Sequence, residues 1–199
     1  MASTIEAANT ALSKLGSATI TSLTDNTKAA RAISRRFDAV RRAELRRHRW
    51  TFAIVRAALP AMTTAPSWGY SLQYQLPADL LRLDQVSEFW YVTNLVDYVN
   101  GEMKFFEVEG GKILTDLPAP LNIRYSTDVV DPNKWDAAFY EMFASRLAYE
   151  ICEELTQSST KKQDLIADYK TSRSEAIAAN AIERPPTMLP DDSWVFSRL

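Results

Sequence analysis

Six basic side chains, Lys28, Arg31, Arg35, Arg42, Arg46 and Arg49, recur at steps of three, four or seven residues. On a helix such steps fall on one face, so the pattern predicts a continuous basic stripe. Guanidinium forks in that arrangement can take the carboxylates of an acidic protein surface or the phosphates of a nucleic acid. A solvated helix face paired to acids of its own chain would use the same residues. Like charges at i,i+3 and i,i+4 repel unless something answers them. The segment from Lys28 to Arg49 holds nine Lys or Arg against Asp38 and Glu44, a net +7. Because the whole chain totals −2, the remainder carries −9. That asymmetry suits a directional contact, within the molecule or between subunits, better than bulk attraction to polyanions. A pI near 5.5 argues against tight sequence-specific DNA binding.

Little else in the chain could do chemistry. The single histidine, His48, lies among Arg46, Arg47 and Arg49 and reads as a helix-end residue facing solvent or backbone. No G-x-S-x-G elbow surrounds a serine, and the single cysteine, Cys152, sits inside an apolar helix repeat where a thiol is usually inert. One Cys and one His about a hundred residues apart cannot make a zinc site, and no EF-hand loop is present. Glu153 and Glu154 are adjacent on a helix and point apart, unlike a catalytic carboxylate pair. With five glycines there is neither a phosphate-binding loop nor a dinucleotide fingerprint. The expectation is a protein that is not an enzyme, with no catalytic residue, no metal and no cofactor.

The elements that carry the stripe follow from periodicity. Ser3 and Glu6 form a capping-box pattern, Ile5, Ala8, Leu12 and Leu15 share a face, and Gly16 supplies a stop. A second helix is predicted over about residues 27–48, buried through Ala30, Ile33, Phe37 and Val40. WTFAIV reads as a first strand leaving this helix, with Trp50 and Phe52 as core. From Pro60 prolines break any helix, and Tyr70, Leu72, Tyr74 and Leu76 alternate with polar residues as in a half-buried strand. Asn100-Gly101 and Gly110-Gly111 mark hairpin turns, and LNIRYST is a last strand. Five or six short antiparallel strands result, enough for a small sandwich or open barrel. Helix returns at Asp131-Pro132, with Phe139, Phe143, Leu147, Ile151 and Leu155 every four residues. A fourth helix, with a capping box at Thr160 and Gln163, runs to about residue 183. Beyond Pro185 lies a proline-punctuated tail, an arm in which Pro186, Leu189, Trp194 and Phe196 are candidate docking residues on a neighbour.

The predicted fold class is therefore α+β: an antiparallel bundle of about four helices with an inserted antiparallel β-rich portion and an extended C-terminal arm. Residues 1–59 and 128–184 form the bundle, 60–127 the β-rich insertion, and 185–199 the arm. A length of 199 residues, 46% hydrophobic and 24% charged, is ordinary for a soluble globular chain. No apolar run approaches the roughly 20 residues of a membrane span. The N-terminus lacks the basic and apolar regions of a secretion signal. A single cysteine suits synthesis in a reducing compartment.

Several residues, read in order, resemble the tail tubular protein A family, the head-to-tail adaptors of short-tailed phages. They are Leu15-Gly16, then Ile20 and Ser22-Leu23, and the close of the Arg-rich helix in His48-Arg49-Trp50-Thr51-Phe52-Ala53 with Arg56 and Leu59. Later come Leu76-Pro77-Ala78-Asp79-Leu80-Leu81-Arg82 and Val108-Glu109-Gly110-Gly111-Lys112-Ile113-Leu114. Tyr125, Asp128 and Val129 then precede Phe139, Leu147-Ala148 and Glu154-Leu155-Thr156. The order spans the chain to about residue 184.

The resemblance implies a structural virion protein, made in the host cytoplasm and placed in the virion neck. Such proteins form a homo-oligomeric ring of about twelve copies between the portal protein and the tail nozzle protein, and genomic DNA passes through the lumen. It implies no membrane contact. On that expectation the stripe meets an acidic face of the adjacent subunit. Two alternatives stand beside it: a basic helix that contacts DNA, and, ranked last, a tail-associated enzyme that degrades polysaccharide.

Overall fold

The computed structural model describes residues 3–87, 89–90 and 106–183. The Asn100-Gly101 turn and the arm residues Pro186, Leu189, Trp194 and Phe196 lie outside the described residues. Within them the chain is α+β, with four helices and two small antiparallel sheets, in agreement with the predicted class.

Helix α1 spans Thr4–Leu15. Its start is the predicted capping box: the Ser3 hydroxyl accepts from the Glu6 amide at 3.1 Å, and the Glu6 carboxylate accepts from the Ser3 amide at 2.8 Å. Gly16 ends it at φ 68°, a left-handed conformation that a side chain would strain. Helix α2, Lys28–Arg47, is capped by Thr27, and Ala30, Ile33, Phe37 and Val40 are all buried as the period requires.

The last helices start later or earlier than the sequence pattern indicates. Asp131-Pro132 opens a 3-10 turn over Pro132–Lys134, because the Asp131 carboxylate accepts from the Asn133 amide and Trp135 is extended. Helix α3, Ala137–Thr156, begins at Asp136, whose carboxylate accepts from the Ala138 and Phe139 amides at 2.8 and 3.2 Å. Helix α4, Ser159–Ile182, is capped by Ser158 rather than Thr160, since the Ser158 hydroxyl accepts from the Lys161 amide.

Helix α3 is the axis of the bundle, and α1, α2 and α4 all pack against it. Phe139, Phe143, Leu147 and Ile151 are its buried row, and Cys152 is buried beside them. Trp50 stands edge-on to Phe139 at 4.9 Å, and Phe37 and Trp135 stand edge-on to Phe143 at 5.0 and 4.8 Å. Each such pair adds about 0.5–1.5 kcal/mol beyond its burial.

After α2 the chain makes a 3-10 turn over Thr51–Ala53 and enters β1, Ile54–Leu59. The β-rich portion therefore begins ahead of Pro60, because β1 pairs along its whole length with β7, Leu121–Thr127. Strands β2 (Leu72–Gln75), β3 (Leu80–Val86), β4 (Phe89–Trp90), β5 (Phe106–Glu109) and β6 (Lys112–Thr115) complete the set. One sheet has the order β1-β7-β3-β4 and the other β2-β6-β5. Gly110 and Gly111, at φ 53° and 77°, make the predicted tight turn between β5 and β6. Leu59, Leu83, Val86, Leu121, Ile123 and Tyr125 of one sheet share a second core with Tyr74 and Ile113 of the other. The sheets thus cover one another as a small sandwich. Gln73 departs from simple alternation: it is buried, and its amide donates to the Thr64 carbonyl at 2.5 Å.

Candidate interface on the basic helix

Lys28, Arg31, Arg35, Arg42 and Arg46 of the predicted stripe lie on one side of α2, whereas Arg49 falls beyond the helix because His48 is already extended at φ −131°. The two halves of the set have different surroundings. In the N-terminal half, Lys28, Arg31, Arg35 and Arg36 are exposed. No ion pair holds Lys28, Arg31 or Arg36 among the described residues, and the first turn of α2 has no acidic residue to offset Lys28. Arg35 pairs with Glu154 of α3 while 65% of its side chain stays in solvent.

The C-terminal half reaches across to the β-rich portion. Arg42 donates through Nε to Asp128 Oδ2 at 2.9 Å, just beyond the end of β7. Arg46 donates to the Leu81 carbonyl of β3, and Arg82 of β3 returns a bond to the Arg46 carbonyl at 2.9 Å. Arg49 lies with Nε 3.5 Å from Asp84 Oδ1, and Arg82 and Ser126 hold the same carboxylate at 2.9 and 3.1 Å. These three arginines are struts between helix and sheet. The charges of Arg42 and Arg49 are answered by acids of the same chain, while Arg46 meets a backbone carbonyl, so this half fits the plainer reading of a face paired within its own chain.

Two buried charged residues of α2 lie outside the predicted stripe. Arg41 is 3% exposed and grips Asp128 with both ends of its fork, Nε to Oδ1 at 2.8 Å and Nη2 to Oδ2 at 3.0 Å. It also meets Asp38 at 2.5 Å, one turn back. Burial opposes the charge on Asp128, but the hydrogen bonds and charges of Arg41 and Arg42 outweigh it, so the carboxyl titrates below its ordinary range. Burial likewise works against protonated Arg41, and Asp128 and Asp38 overcome it, raising its pKa.

Glu44 is 1% exposed and accepts from the Tyr169 hydroxyl of α4 at 3.0 Å. Arg47 and Arg146 flank it at 3.2 and 3.3 Å. The Tyr169 hydroxyl is pushed up by burial first and by the Glu44 charge second. The sequence did hold a signal for both residues. Arg41 stands four residues after Phe37 and Glu44 four after Val40, on the apolar row itself. Charged residues placed there are buried, and buried charges need partners.

His48 ends α2, with its ring edge-on to Trp50 at 4.8 Å and its Nε2 3.1 Å from the Asn180 side-chain amide. The same Asn180 donates to the Arg49 carbonyl at 2.9 Å and accepts from the Thr51 amide at 2.8 Å, tying α4 to the exit of α2. His48 is thus a helix-end residue.

Helix α4 supplies a feature that the sequence reading did not pick out. Asp164, Asp168 and Glu175 are all exposed, and at 100° per residue they fall within 40° of one another. The chain therefore displays an exposed basic patch at the start of α2 and an exposed acidic row on α4. Among the described residues no group of His, Cys, Asp and Glu is placed to hold a metal ion, and no helix is long and apolar enough to cross a membrane. No protein-family model matches the chain, and no curated protein matches it.

Proposed function

We propose that the chain is a structural subunit of a head-to-tail adaptor ring in a short-tailed phage, seated between portal and tail nozzle. The phage assignment is carried by one observation: the ordered residues from Leu15-Gly16 to Glu154-Leu155-Thr156 that resemble the tail tubular protein A family. The two charged faces support the ring. A heterologous contact sets different patches of one chain against each other, and Lys28, Arg31 and Arg35 opposite Asp164, Asp168 and Glu175 would fix its register. In this reading the protein works by shape and contact, extends the DNA exit channel and carries out no chemistry.

The test is the particle mass of the purified chain, alone and mixed with the portal protein of the same genome. A gain of about twelve chain masses on the portal ring is the expected result. A chain that leaves the portal unchanged overturns the proposal. The exposed patch Lys28, Arg31, Arg35 and Arg36 also suits phosphates, which gives a second reading in which α2 lines the lumen. Duplex DNA that protects these arginines from chemical modification in the assembled ring would favour that reading over the subunit contact.

A further inference from the structure

No residue from Ala57 to Ala78 is charged, in a chain that is 24% charged. The loop between β1 and β2 falls in that run and carries Trp68, which is 86% exposed. The indole makes no aromatic contact or hydrogen bond among the described residues. Gly69, at φ 89°, turns the chain behind it in open space. The fold sets this loop on a definite side. Leu72 and Tyr74 of β2 point into the core between the sheets, so Gln73 points outward, where its amide donates to the Thr64 carbonyl. The two ends of the loop are fastened: the Met62 amide donates to the Gln73 carbonyl at 2.9 Å, and the Ser71 amide to the Asp116 carboxylate at 2.8 Å. Trp68 thus stands on the loop that covers the outer side of the three-stranded sheet.

The opposite side of the sandwich, the outer face of the four-stranded sheet, holds a depression of about 410 Å³. Arg56 and Ala58 of β1, Asn122 of β7 and Gln85 of β3 help to line it. Register explains why Arg56, Ala58 and Asn122 point outward: Leu59, Leu121, Ile123 and Tyr125 alternate with them and enter the shared core. Arg56, Ala58 and Asn122 are exposed, and the Arg56 guanidinium has no ion pair or hydrogen bond among the described residues.

We infer that Trp68 of one copy seats in this depression on the next copy, with its ring against Ala58 and stacked under the Arg56 guanidinium. Size, chemistry and placement select that occupant. Clefts of roughly 300–1,000 Å³ enclose groups of this kind, and a buried tryptophan removes about 150–250 Å² from water. A guanidinium stacks on the face of an indole, and the alanine methyl adds an apolar wall. Knob and hole lie on opposite outer sides of one sandwich, so a chain cannot fill its own depression. Two different patches that fit each other repeat head to tail from copy to copy. A lipid surface suits the loop less well, because the charge-free run offers headgroups no Lys or Arg. The inference needs only a second copy of this chain, so it stands or falls apart from the portal and the phage assignment.

The experiment uses the full chain with Ser67→Cys, labelled through a maleimide benzophenone and mixed at high concentration with an isotopically distinct, unlabelled chain. The native Cys152 is fully buried and is spared by the reagent. Irradiation followed by digestion and mass spectrometry should place the crosslink on β1 or β7 of the other chain, several-fold above a control label at Lys170→Cys on α4. Trp68→Ala in the labelled chain should lose the capture and leave the melting temperature of the monomer unchanged. Ala58→Trp in the acceptor chain, which fills the depression, should lose it too. Should that variant fail to fold, Arg56→Ala in the acceptor takes its place and should cut capture several-fold. Capture that persists in Trp68→Ala, falls elsewhere on the other chain, or occurs only within one chain overturns the inference. Absent capture overturns it as well, and Trp68-dependent binding to phosphatidylcholine vesicles would then make the loop a lipid anchor.

Discussion

Replacing Asp128 by Asn removes the carboxylate that joins α2 to the end of β7. In the native chain Asp128 accepts two bonds from Arg41 and one from Arg42, with distances of 2.8 to 3.0 Å. Its side chain is 11% exposed and that of Arg41 is 3% exposed. Breaking a buried pair from one side costs about 3–5 kcal/mol, because the remaining charge is stranded. Arg41 keeps Asp38, which is 72% exposed, so the loss belongs at the lower end, near ~3 kcal/mol. With a urea m-value of about 2 kcal/mol/M, the unfolding midpoint falls by roughly 1.5 M. Replacing Arg41 by Met in the same chain should recover part of the loss, since no stranded charge then remains. The pH dependence gives an independent check. A carboxyl whose folded pKa lies below its unfolded value stabilises fully above that value and loses the contribution as pH falls toward the folded pKa. The native chain and Asp128→Asn should therefore differ at neutral pH and converge below pH about 4. A loss under about 1 kcal/mol, the level of a surface ion pair, would refute the account of this contact as a buried strut.

Tyr169→Phe removes the hydroxyl that donates to buried Glu44 and should cost about 1–3 kcal/mol in a calorimetric melt, with the far-ultraviolet spectrum unchanged. Lys28→Glu with Arg31→Glu should leave the melting temperature of the monomer almost unaltered, since neither residue is paired among the described residues, yet abolish the mass gain on the portal ring. Adding Asp164→Lys and Asp168→Lys to that chain should restore it if the two faces meet in the ring, and continued failure would exclude that contact. Arg42→Glu, by contrast, should lower stability outright because it places an acid against Asp128. Gly111→Ala, at φ 77° in the β5–β6 turn, should cost about 1 kcal/mol by chemical denaturation, from left-handed strain alone.

Local pattern carried the elements whose causes are local. The capping box at Ser3 and Glu6, the stop at Gly16, the Gly110-Gly111 turn and the four-residue repeat from Phe139 to Ile151 all depend on neighbours within a few positions. Where the predicted helix starts were displaced, packing and neighbouring turns set the new ones. The sequence pattern points to Asp131-Pro132, but the helix starts at Asp136, because Trp135 stays extended with its ring packed against Phe139 and Phe143. Ser158 displaces Thr160 in the same way, because Gln157 already turns left-handed at φ 54° to close α3.

The charge asymmetry and the helical face of the stripe were fixed by the order of residues, because periodicity and net charge are properties of sequence. What each arginine meets was decided by the fold. Asp128 and Asp84 lie 86 and 35 residues from Arg42 and Arg49, and no periodicity spans such separations. Pairing of β7 with β1 and β3 carries both carboxylates to the foot of α2, which turns half of an apparent binding face into internal struts. The same pairing sets Arg56 against Arg124, and the packing of α4 against α3 leaves Asp164, Asp168 and Glu175 in solvent. Ion pairs and surface patches are long-range consequences of packing, so sequence offers the charges and only tertiary structure assigns their partners.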